Sequence, residues 1–172
     1  MSQTVDETVR FLRSLRTIRE YTSEPLSDAE INDILEVGRW SASGGNRQPW
    51  DVVVVRDRAT LEKFGNWGAK PAATAAAAFL ITTPDENPSA DVGRLCERML
   101  LAAHAHGLGS CLATLKNEGP EETKKLLNIP AERGVRFLVA VGHIDTAARK
   151  ALPKNPNAGR KPLTEFAHWD RY

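Results

Sequence analysis

Four valines in a row, Val52 to Val55, follow directly on a loop of small and polar residues, Ser41 to Pro49. β-Branched side chains pack well on a pleated surface, so this run reads as a strand buried in a sheet. A buried strand needs partners for its backbone and cover for its faces, and the rest of the chain offers both. Residues 77–83, closed by Pro84, read as a second strand, 111–115 as a third and 137–141 as a fourth. Between them the apolar period changes to that of a helix. Val5, Val9, Leu12 and Leu15 mark a first amphipathic helix. Ser27-Asp28-Ala29-Glu30 has the form of a capping box, and Ile31, Ile34, Leu35 and Gly38 give the helix behind it an apolar face. A short helix is expected over 59–64. Val92, Leu95, Cys96, Met99, Leu100 and Ala103 define the longest helix, which ends near Gly107 and Gly109. Residues 121–127 read as a short helix stopped by Asn128 and Pro130. Residues 85–90 and the tail 147–162 read as irregular chain. Strands alternating with helices predict an α/β arrangement of two or three layers. With no repeat and no linker, 1–172 reads as one unit, with 145–172 a basic C-terminal extension.

Composition narrows the function. The chain has 172 residues, 41% apolar and 26% charged, enough to bury a core without disulfides or metals. A net charge of +1 gives no general attraction for nucleic acid, so any anion must be held by local cations. The N-terminus lacks the apolar run of a signal peptide, and Ala72 to Ile81 is too short to span a bilayer. Cys96 and Cys111 have the spacing of neither a redox pair nor a zinc site, and read as reduced core residues of a cytoplasmic protein.

Several familiar chemistries are missing. Gly107-Leu108-Gly109-Ser110 lacks the third glycine of a dinucleotide fingerprint and precedes a strand rather than opening a helix. There is no P-loop and no nucleophile elbow. His104 and His106 stand two apart on a helix and so point to different sides, which does not suit a metal. Three segments remain. Arg16-Thr17-Ile18-Arg19 places two guanidinium groups around a hydroxyl, a set that matches phosphate but equally suits a solvated face. Ser41 to Trp50 combines Gly44 and Gly45, which let a ligand approach the backbone, with the amides of Asn46 and Gln48. Such amides suit the edge of a flat heterocycle, or simply a polar connection. The tail carries Arg149, Lys150, Lys154, Arg160 and Lys161, which read as a second cationic arm or as a basic surface segment.

Together these segments resemble the nitroreductase family of flavoproteins. Leu15 to Tyr21, followed by Glu24-Pro25-Leu26, resembles that family's opening signature. Ser43-Gly44-Gly45-Asn46-Arg47-Gln48-Pro49-Trp50 resembles its second, Ser-x-x-Asn-x-Gln-Pro-Trp. Asp91-Val92-Gly93 and Leu101 to Ser110 resemble the central helix and its exit. Val139 to His143 resembles the last strand, and Lys161-Pro162-Leu163 with His168-Trp169 the C-terminal motif. The resemblance runs through nearly the whole chain in order. It departs at Leu15, where a basic residue is frequent, and at Glu97-Arg98, where Gln-Asn is frequent.

The resemblance implies an α+β nitroreductase-like fold, with a mostly antiparallel or mixed sheet of about four to five strands flanked by helices, in an intertwined homodimer that binds FMN. Carried over, Arg16, Thr17 and Arg19 would hold the phosphate and the neighbouring ribityl end, with Arg160 or Lys161 as reinforcement. Ser43, Asn46 and Gln48 would line the flavin of the other protomer, and the backbone around Ala113 and Thr114 would pass the reactive edge. The implied activity is hydride transfer from NAD(P)H through flavin N5 to a small acceptor such as a nitroaromatic, a quinone, a flavin or an unsaturated metabolite. No catalytic side chain is required for that step. The alternatives are other flavin chemistry on the same fold, as in a dehalogenase, an oxidase or a flavin-fragmenting enzyme, or a flavin-binding module without activity. Neither nucleic acid nor membrane is expected as a partner.

Overall fold

The central feature of the computed structural model is a sheet of four strands, β1 (Asp51–Val55), β2 (Ala77–Thr83), β3 (Gly109–Thr114) and β4 (Gly134–Gly142). They lie in the order β1-β2-β4-β3, and every neighbouring pair is antiparallel. Residues 4–84, 90–152 and 159–172 are described. Apart from Ala90, the loop expected over 85–90 lies outside them, as does Lys154. All four strands stand where the apolar runs put them, though β3 starts two residues early and stops before Leu115, and β1 is an edge strand with Val52 to Val54 only partly buried rather than the buried strand expected.

Helices cover both faces. These are α1 (Val5–Ser14), α2 (Asp28–Arg39), α3 (Arg58–Asn66), α4 (Ala90–Ala105), α5 (Gly119–Leu127), α6 (Thr146–Ala151) and α7 (Leu163–Phe166). The sheet therefore divides two cores. On one face Ala78, Leu80, Leu138 and Ala140 meet Leu61 and Phe64 of α3. On the other, Phe79, Ile81, Val139 and Val141 meet Ile34 of α2 and Leu95 and Met99 of α4. β2 alternates between the two, and all seven of its residues are buried. That explains why its sequence is apolar without alternation from Ala77 to Ile81.

Helix starts follow local rules. The Ser27 hydroxyl accepts from Glu30 N (3.2 Å) while the Glu30 carboxylate accepts from Ser27 N (2.7 Å), the reciprocal box read from the sequence. Thr4 and Glu7 form a second such box at α1. α5 ends at Asn128 in the left-handed conformation (φ 53°). One expectation is corrected. The tail is not irregular from 147, because the Asp145 carboxylate accepts from Ala148 N (2.8 Å) and starts α6, which runs to Ala151. Cys96 and Cys111 are both buried and unpaired. His104 faces Phe11 and Ser14 on α1, while His106 faces Asp33 on α2.

Candidate functional site

The segment after α1 is stitched to the start of β3. Thr17 bridges Ser110 in parallel, and Ile18 N donates to Ser110 O (2.9 Å). Gly109 makes this approach possible, since a Cβ there would come within 2.7 Å of Ile18 Cγ2. Ile18 and Tyr21 are the buried anchors of the segment. The Tyr21 hydroxyl donates to Ile18 O (2.6 Å), with Ala140 O also in reach (3.3 Å). Burial holds that phenol far above its ordinary pKa, so it stays a neutral donor.

With Ile18 turned inward, Arg16 and Thr17 project outward into an open cleft of about 490 Å³. Arg13, Glu97, Ser110 and Arg160 share its walls. Three guanidinium groups thus stand against one carboxylate. Arg16 Nη1 donates to Arg13 O (2.7 Å) and Leu15 O (2.8 Å), which ties one nitrogen of its guanidinium to the end of α1. Ser110 is 1% exposed, and its hydroxyl has no hydrogen-bond partner among the described residues. A buried hydroxyl without a partner costs free energy unless something arrives to bond it. Fork-shaped cations and two hydroxyls form a donor set that fits a phosphate. Leu15 lines the same cleft, so the departure from the frequent basic residue puts an aliphatic wall there.

The other expected residues fall elsewhere. Arg19 is not in the walls of this cleft. It lies against the Cys111 thiol, one residue further along β3, where burial pushes the thiol up and the guanidinium partly offsets that. Lys161 is exposed beside Arg160. The loop 41–50 is on its own chain remote from the Arg16 cleft in its contacts. The Ser43 hydroxyl accepts from Gln48 N (2.9 Å), Gly44 N donates to an Asp91 carboxylate oxygen (3.0 Å), and the Gln48 amide donates to Asn46 O (3.3 Å). Gly45, Asn46 and Gln48 all adopt positive φ, and the side chains of Asn46 and Gln48 are exposed. Ala113 turns its side chain into the core, whereas Thr114 borders a second cleft of about 620 Å³ at the far end of β3.

Arg13 and Ser110 were missed in the sequence. Arg13 carried a readable signal, because it is a cation three residues before Arg16 at the end of the first helix. Ser110 carried none, since its burial beside the cleft follows from the pairing of Thr17 and Ile18 onto β3, which is remote in sequence.

An antiparallel sheet cased in helices, with a cationic cleft at the head of its edge strand, defines an α+β protein whose candidate site is suited to an anion. Comparison with known proteins makes the class definite. The model of the nitroreductase family matches residues 12–83 and 74–143, and the chain belongs to that family. A protein of Archaeoglobus fulgidus described as an NADH dehydrogenase/NAD(P)H nitroreductase is 31% identical over 150 residues, covering 81% of this chain and 86% of its own. The NADPH-flavin oxidoreductase of Vibrio harveyi is 24% identical over 98% of this chain and 75% of its own. The fold matches that of an FMN-dependent nitroreductase from Clostridium difficile, with a TM-score of 0.80, 21% identity and coverage of 95% and 99% of the two chains.

Proposed function

We propose that the protein is an FMN-dependent oxidoreductase that uses NAD(P)H to reduce a small oxidised acceptor. The observation that carries this is the cleft where Arg13, Arg16, Thr17 and Arg160 surround the unpartnered Ser110 hydroxyl, in a chain of the nitroreductase family. Arg16, Thr17 and Arg160 would hold the phosphate of FMN, with Lys161 close enough in sequence to reinforce them. From Ser110 to Thr114 an extended strand spans about 13 Å, so a molecule lying along β3 has its phosphate at one end and its ring at the other. Arg19, beside Cys111, then stands along the ribityl chain. Bound there, FMN supplies the redox chemistry, accepting hydride from NAD(P)H and returning electrons to the acceptor. The chain's own part is to bind and orient it, to exclude water with the apolar wall of Leu12, Leu15 and Leu100, and to present donors to the ring.

The working form is proposed to be a homodimer. Asn46 and Gln48 are exposed and, among the described residues, bond only within their loop, a disposition suited to serving the neighbouring protomer's flavin together with Ser43. Two apolar faces support the same reading. Val5, Val9 and Leu12 line an uncovered side of α1, and Leu163, Phe166 and Trp169 of the tail are 73%, 75% and 86% exposed. Patches of this kind mark surfaces that another chain covers. No helix among the described residues is long and apolar enough to cross a membrane. We place the protein in the cytoplasm, where NAD(P)H is available and free thiols such as Cys96 and Cys111 persist.

The test is an absorption spectrum. Purified protein is expected to be yellow and to bleach under anaerobic NAD(P)H. Colour that neither nucleotide bleaches would replace the reductase with a flavin-binding module or an oxidase, and protein that takes up no FMN would refute the reading altogether.

A further inference from the structure

The second cleft, of about 620 Å³, is built rather than incidental. The chain leaving β3 turns against Trp67 and Gly68. Lys116 N donates to Trp67 O (2.7 Å). Gly68 has φ +97°, and a Cβ there would come within 2.9 Å of Lys116 Cγ, so the lysine stem lies flat across the glycine. Gly119 gives Trp67 the same room, with an added Cβ only 2.6 Å from Trp67 Cβ. The stem of Lys116 is therefore pinned while its ammonium reaches the cleft.

Arg136 comes to the cleft through a break in β4. Leu80 pairs with Leu138 but Thr82 pairs with Val135, so Ile81 alone opposes both Arg136 and Phe137. That is a β-bulge, a device that re-aims side chains. Counting back from Leu138 by strict alternation would turn Arg136 toward the core it shares with Ala140. The bulge gives that place to Val135 and leaves Arg136 exposed.

Thr114, Asn117, Glu121 and Lys124 also line the cleft. The Glu121 carboxylate is taken by Lys124 Nζ (2.7 Å). Three cations therefore face one carboxylate. Lys116 and Arg136 have no acidic partner among the described residues. The contrast with Arg133 is direct, since Arg133 is engaged by Asp51 and by Thr82. The cleft is also about 13 Å along β3 from the Arg16 cleft, too far for its cations to serve the same phosphate.

We propose that Lys116 and Arg136 are specificity-determining residues that receive a carboxylate on the small acceptor the enzyme reduces. This rests on the flavin reading above, which puts the reacting ring beside Thr114, a wall of the same cleft. A neutral acceptor gains nothing from two cations without acidic partners, whereas a carboxylate gains charge-assisted bonds from the Arg136 fork and the Lys116 ammonium, with Asn117 and Thr114 adding neutral donors.

The experiment has two arms, run on the wild type, Lys116→Gln, Arg136→Gln and the charge-keeping Arg136→Lys. The first is calorimetric titration with benzoate, which cannot be reduced. Benzoate is expected to bind the wild type, to bind each Gln variant about tenfold more weakly, and to recover in part with Arg136→Lys, which keeps the charge but not the fork. The second compares kcat/KM for 4-nitrobenzoate and nitrobenzene in the FMN-loaded protein. The wild type is expected to prefer the acid, and each Gln variant to lose about tenfold of that preference through KM. Equal benzoate binding in all four proteins would overturn the proposal. So would a change in the NADPH to NADH ratio with the acid preference intact, which would make the nucleotide's phosphate the anion. Absence of FMN defeats the flavin reading instead, and the benzoate arm still reads the cleft on the same sample.

Discussion

At the residue scale, position along β3 separates two arginines that the sequence presents as equals. Arg16 lines the cleft with Ser110, whereas Arg19 lies by Cys111. Arg16→Ala is therefore expected to weaken FMN about ten- to a hundredfold and riboflavin, which has no phosphate, far less. Arg19→Ala should weaken both ligands to a similar extent, and fluorescence quenching with the two flavins reads the difference. If Arg19→Ala penalises FMN alone, the guanidinium reaches the phosphate after all. Gly109→Ala adds a contact at 2.7 Å from Ile18 Cγ2, which pries Thr17 and Ile18 off β3. It is expected to lower FMN affinity without any change of charge, whereas a variant with wild-type affinity would show that the Thr17 bridge does not set the cleft. Asn46→Ala is expected to keep the fold and shift the flavin's reduction potential, and an unchanged potential and rate would remove Asn46 from the site. Arg16 and Thr17 of the first cleft were legible because Arg-Thr-x-Arg is a local pattern, although Arg19 at its other end falls by Cys111 and Arg13 lies outside it. Lys116 and Arg136 were not, since their meeting depends on Gly68 and on a bulge opposite Ile81, both remote in sequence.

At the element scale, patterns with a local cause came through. Val52 to Val55, a strand as expected but at the sheet edge rather than buried, and the Ser27–Glu30 box are such cases, one from side-chain shape and the other from reciprocal hydrogen bonds. α6 was overlooked although Asp145 is a good N-cap, because six residues hold too few apolar positions to show a period. The order β1-β2-β4-β3 had no local signature, since strand neighbours are chosen by packing across the whole chain. The box at α2 also titrates. Its bonds to Ser27 hold the Glu30 carboxyl below its ordinary pKa. A depressed folded pKa means that the stabilisation is fully present above the unfolded value, about 4.3, and fades as the pH falls through the folded one. Ser27→Ala is expected to cost about 1 kcal/mol near neutral pH and less in acid, measured by denaturant unfolding at both. An equal cost at pH 7 and pH 3 would mean that the Glu30 half of the box contributes nothing.

For the whole molecule, the uncovered faces of α1 and the tail set the expectation. Light scattering at micromolar concentration is expected to give twice the chain mass of 18.9 kDa. Deleting 163–172 removes Leu163, Phe166 and Trp169 and should shift that value toward one chain, with paler protein as Arg160 loses its support. A monomer that still holds FMN would end the dimer proposal.

β2 has a strand on each side, a separate core on each face and seven buried residues out of seven. Its amides have no small opening through which to meet solvent, so deuterium should reach Phe79 and Leu80 only when the molecule unfolds as a whole. The slowest-exchanging protons of this chain would then be a built-in gauge of its global stability, readable with flavin and without it. The difference between those two readings would give the free energy that the bound cofactor lends to the fold.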